Sequence, residues 1–254
     1  MTRLDPASAQ PAAPRPAVQP RTEQPRAEQP PARILDLRVA SRAATVAAIA
    51  WLTEPIAFAA MLFNPANMDP EQTLADFHAG GLPFAYLVAV GLIVCGAALA
   101  VLTIAIDRQY RARGDYGIGV AFAKWAGLTA ATALLIAGAI DLTGNGLGGI
   151  ALTIIPDASE GARWLARQTF MISHEALRLT ACLAFAAWLV LLARRGRKLG
   201  LIGRGVAVTV VIAGILIALP GAATGLLTGM NFVLLALIPL AVAFARRSRP
   251  SSEV

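Results

Sequence analysis

The sequence predicts an all-α integral membrane protein, a bundle of six transmembrane helices with both chain ends on the cytoplasmic side. Three observations predict it. Of 254 residues, 57% are hydrophobic and 15% charged, with a mean hydropathy of +0.63, more apolar surface than one soluble core can hide. From Leu179 to Ala193 the chain is uncharged, and then come Arg194, Arg195, Arg197 and Lys198, the pattern of a spanning helix whose basic end stays inside. In the topology that follows, 18 Lys and Arg lie inside and three outside, with Lys124 within a span. The net charge of +7 therefore reflects short clusters at the ends of apolar runs, a membrane pattern that argues against nucleic acid as a partner.

Residues 1–33 hold half of the prolines and an echoed QPRTE–QPRAE–QP run. Such a composition buries too little apolar surface to fold, and predicts a disordered cytoplasmic tail. The first apolar run begins near Ala43, which does not fit a signal peptide. A six-span domain is expected over 34–249, with spans at about 43–63, 82–106, 117–140, 170–193, 205–219 and 226–245, and a short cytoplasmic tail at 250–254.

In the first span Pro55 removes the donor that would meet the Trp51 carbonyl, so a kink is expected there. The loop from Asn64 to Gly81 has Asp69, Glu71, Asp76 and His78 but no Lys or Arg, and belongs outside. Pro83 suits the first turn of the second span, and Arg108, Arg111 and Arg113 return the chain inside. The third span carries Lys124 and ends at Asp141. In the outer segment to Thr169, GLGGIALTIIP is too short to cross, and Asp157 is a candidate cap for a short surface helix bearing Trp164. A tight outer turn is expected at Pro220–Gly221, between spans five and six. Spans one to three and four to six show no matching proline positions of the kind an inverted repeat would give.

Glu54 and Lys124 are the candidate intramembrane polar or ion-coupling residues. Counted from Ala43, Glu54 would lie ~16 Å deep and Lys124 ~10 Å deep from the same side, so the two can pair. Otherwise Lys124 snorkels to the headgroups and Glu54 is a protonated, hydrogen-bonded group between helices. Intramembrane carboxylates also serve in ion or proton coupling. Asp141, His174, Glu175 and Arg178 gather near the outer ends of spans three and four, either as an interfacial charge cluster or as a vestibule for an anionic or zwitterionic solute. A Glu175–Arg178 pair is easy at helical spacing. His78 and His174 are the only histidines, a weak signal for haem or metal ligation, and no metal or cofactor is expected.

Cys95 and Cys182 fall inside spans without metal-type spacing and read as small buried hydrophobes. GNGLGG at 144–149 matches GxGxxG spacing but follows no strand. Gly221, Gly225 and Gly229 offer a close-packing stripe, either for spans five and six or for a dimer. With no nucleophile elbow, HExxH or phosphate loop, the favoured expectation is a non-enzymatic structural, regulatory or accessory protein. The alternatives are a small-solute or proton-coupled transporter using Glu54 and Lys124 and, more distantly, a membrane haem or redox protein. The expected partners are the lipid bilayer, of the bacterial inner-membrane kind, and a second copy or another membrane protein; any small ligand is unidentified.

Overall fold

The computed structural model describes residues 31–56, 83–143, 160–223 and 232–249. Among them the regular elements are all helices: α1 (Pro31–Trp51), α2 (Pro83–Arg111), α3 (Ile118–Thr143), α4 (Glu160–Lys198), α5 (Arg204–Ala223) and α6 (Val233–Arg247). Three of these are long and apolar enough to cross a membrane, over Tyr86–Arg111, Ile118–Thr143 and Ile172–Lys198. Large apolar side chains such as Ile49, Val94, Ile136, Val190, Ile212 and Ile238 are exposed. Exposed apolar residues on every helix are a surface suited to lipid rather than water.

Each helix packs against its neighbours in the chain, and α6 returns to α1, so the six close into a ring. The basic stretches meet at one end of it. There Arg108 of α2 approaches Asp36 of α1 at 3.9 Å, Arg195 of α4 binds Asp115 in the turn between α2 and α3 at 2.8 Å, and the Ser41 hydroxyl donates to the Ala241 carbonyl of α6 at 2.9 Å. The turns at this end are short because glycine lets the chain reverse. Gly114 and Gly200 both have positive φ, 77° and 68°, the conformation that ends many helices and that side-chain-bearing residues disfavour.

Small residues set the closeness of α2 and α3. A Cβ on Gly138 would lie 2.7 Å from the Ala89 carbonyl oxygen, and one on Gly96 would lie 2.7 Å from that of Ala131. Close backbone approach through glycine and alanine is a favoured packing mode for helices in lipid, where burial from water gives no driving force. The core holds Trp51, Leu92, Leu102, Trp188, Leu189 and Phe244, all nearly inaccessible, with Phe185 stacked on Trp188 at 5.5 Å.

The helices depart from the expected layout in three places. Helix α1 begins at Pro31, well before Ala43. Its buried stripe of Leu37, Ala40, Ala44, Ala47 and Trp51 keeps helical spacing upstream, so packing extends the helix. Its far end breaks where Pro55 predicts. Leu52 is a turn residue, its N–H shared between the Ala48 and Ile49 carbonyls, and a further helical turn follows with Ile56 N–H bonded to Leu52 O. Helix α4 is one element of 39 residues, so Trp164 belongs to it and not to a separate surface helix. Helix α5 runs through Pro220 and Gly221 to Ala223, in place of the expected tight turn. A proline removes one backbone bond, whereas ending the helix in an apolar setting would strand several more. The tail at 1–30, His78, the GNGLGG run, Asp157, Gly225 and Gly229 lie outside the described residues.

Candidate functional site: a buried charge network at the far end of the ring

At the end opposite the basic turns, three helices bring four ionisable side chains together. Arg178 of α4 is the centre. Its Nη2 donates to Glu54 Oε2 at 2.9 Å, its Nη1 lies 3.3 Å from His174 Nε2, and His174 Nδ1 lies 2.8 Å from Asp141 Oδ1. None of the four is more than 15% exposed in its side chain. His174 and Arg178 share a face of α4 at i, i+4 spacing. Asp141 arrives on the last turns of α3, and Glu54 on the helical turn beyond the Leu52 break. That break re-aims the chain, and the Thr53 hydroxyl steadies it by donating to the Ala50 carbonyl at 2.8 Å.

The contacts assign the histidine tautomer. A guanidinium has donors only, so the Nε2 facing Arg178 accepts and carries no proton, and the ring proton is on Nδ1. That proton lies on the Asp141 side. The ring is not turned to aim it squarely at Oδ1, but a 2.8 Å approach between two lone pairs would be repulsive. The imidazole in this arrangement is neutral. Glu54 Oε1, Glu175 Oε2 and Arg178 Nε are buried and have no hydrogen-bond partner among the described residues.

Lys124 belongs elsewhere. Its Nζ lies 3.7 Å from Asp107 Oδ2, which also accepts from Arg111 Nε at 3.1 Å, at the basic end. The Glu54–Lys124 pair, one of the two alternatives, is therefore not formed. The reason is the start of α1: measured from Pro31, Glu54 is ~35 Å along the helix axis, whereas Lys124 is only ~9 Å from the start of α3. The Glu175–Arg178 pair that helical spacing allows is also absent, because Glu54 takes the guanidinium. Of the four vestibule residues, Asp141, His174 and Arg178 come together. Arg178 is occupied by Glu54, so it offers no open cation to an anionic solute. His174 is bound up in this network and His78 is outside the described residues; among those described, no three His, Cys, Asp or Glu side chains group as metal ligands.

Between the two charged ends the ring interior is apolar. A small cavity with room for about one water is lined from all six helices, including Trp51, Cys95, Leu134, Phe185, Ile217 and Leu237. Cys95 and Cys182, neither of them in a disulfide, both line it. Sequence reasoning missed Asp107 and Asp115 as partners of Lys124 and Arg195. Both lie just beyond apolar runs among arginines, a signal that was present and unused.

The chain matches no protein-family model, no curated protein and no solved structure.

Glu54→Gln is expected to destabilise the detergent-solubilised protein by on the order of 3 kcal/mol, since it weakens the partner of a buried charge. Lys124→Gln should add to it independently, within ~0.5 kcal/mol in the double variant. Thermal unfolding of the two singles and the double checks this, and a strong coupling would restore the pairing that the geometry denies.

Proposed function

We propose that all six helices cross the bilayer, with the basic end of the ring and both chain ends in the cytoplasm. The 18-to-3 distribution of basic residues supports it. So does the placement of the start of α1, the two short turns and the end of α6 at one end of the ring. Reporter fusions at Ser251 and within 157–168 should report opposite sides, and identical signals would contradict the topology.

Within that topology the reading best supported is a non-enzymatic membrane protein of structural, regulatory or accessory kind. One observation carries it: the charged groups at the two ends are separated by an interior lined by apolar side chains. A proton-coupled carrier needs titratable groups that hand on a proton across that gap. The far-end network does not form such a wire even over its own length, because Arg178 sits between His174 and Glu54 and a guanidinium does not give up its proton. The four side chains instead hold α1, α3 and α4 to one another.

Purified protein in liposomes with an imposed pH gradient is expected to dissipate that gradient no faster than protein-free liposomes. A proton flux that Glu54→Gln abolishes would overturn this reading in favour of a transporter.

A further inference from the structure

We propose that the far-end network is an acid-sensitive latch, in which protonation of His174 releases the end of α1 from α4. The inference goes beyond the proposed function and stands on the network geometry alone.

Three features make the latch. The first is a titratable group whose neutral form the contacts require: His174 Nε2 is an acceptor for Arg178 Nη1 at 3.3 Å. A second proton on the ring would sit on that nitrogen. It would turn the contact into donor against donor and place an imidazolium beside a guanidinium. The second is the surrounding charge. The ionisable groups around His174 are Asp141 from α3 at 2.8 Å and Arg178 from its own helix at 3.3 Å, with Glu54 from α1 held on Arg178 and Glu175 the next residue in the chain. On α5, the other helix packed against α4, the one charged side chain is Arg204, at the opposite end of the ring. The Cys182 thiol lies about two turns further along α4. A second ring proton has no place in the Arg178 contact at 3.3 Å, so binding it must move one of the two side chains.

The third feature is a hinge. Arg178 also holds Glu54 at 2.9 Å, and Glu54 lies on the helical turn that follows the Leu52 break. With Pro55 unable to donate to the Trp51 carbonyl, that turn lacks a normal helical bond across the break. When Arg178 withdraws from an imidazolium, its bidentate role toward Glu54 and His174 is lost, and the turn carrying Glu54 and Ile56 is free to move about Leu52. Asp141 keeps His174 in either state, since Nδ1 is a donor in both. The movement is therefore predicted between α1 and α4, not between α3 and α4.

The test uses the full chain in nanodiscs, with spin labels at Ile56→Cys and Thr180→Cys, both exposed positions, in a Cys95→Ala/Cys182→Ala background. His78→Gln leaves His174 as the one histidine, so its ring nitrogens can be followed by 15N NMR in the same protein. At about pH 8 the ring should carry its proton on Nδ1, and on acidification to about pH 5 the ring should become doubly protonated. The α1–α4 label distance should lengthen with the same midpoint. His174→Gln offers Arg178 an acceptor but takes no proton, and should hold the short distance throughout. A ring proton on Nε2 at pH 8 would overturn the proposal, and that result does not depend on any variant at position 174. A distance that stays fixed while the ring titrates would also overturn it. So would an equal lengthening in His174→Gln, which would assign the change to carboxylate protonation.

Discussion

The guanidinium of Arg178 is the constraint on which the far end of this protein depends. It cannot discharge itself by losing a proton, and it is buried, so its two terminal nitrogens turn to protein partners while Nε has none among the described residues. Meeting them recruits one side chain from its own helix and one from α1, and the histidine in turn engages α3. Three helices that neighbour one another only in part around the ring are thereby fastened at one level. The break after Trp51 belongs to the same requirement, because it carries Glu54 on a separate turn, within 2.9 Å of the guanidinium.

The opposite end is fastened by different means. There the basic side chains are partly exposed, as in Arg195 with Asp115 and Lys124 with the buried Asp107, and short glycine-containing turns set the helix spacing. Surface pairs of this kind contribute little each. The middle relies on neither, and is held by close approach of small residues, as at Gly96 and Gly138, and by a core of Trp, Phe and Leu. This division leaves the far end as the part of the ring where both partners of an inter-helix ion pair are buried.

Much of the helical layout was legible in the sequence, because apolar run length and basic clusters are direct signals of helices in lipid. Helices α2 and α3 begin within a residue or two of the expected spans, and the break near Pro55 follows from its missing donor. What was not legible came from packing across helices. Apolar run length does not show that α1 extends back to Pro31, and that offset misplaced Glu54 by more than two turns and left a Lys124 pair open. The grouping of Asp141, His174 and Arg178 could be read from their positions at span ends. The partner that completes it, Glu54, could not, since it depends on which helices face each other across the ring. Pro220 shows the converse failure, a strong local turn signal overridden by the cost of unmet backbone groups in an apolar setting.

The central claim is that Glu54 and Arg178 form a buried ion pair tying α1 to α4, and a cycle of apolar replacements tests it most directly. Glu54→Leu strands a charge that cannot neutralise itself, whereas Arg178→Met strands a carboxylate that can take up a proton. The first should therefore cost more stability than the second, by roughly 1–2 kcal/mol within losses of about 3–5. The double variant should recover most of the loss, because an apolar pair of similar volume leaves no buried charge at that contact. Thermal unfolding of the four proteins in one detergent gives the answer. Strictly additive losses, or a cost for Arg178→Met equal to or above that for Glu54→Leu, would contradict the account.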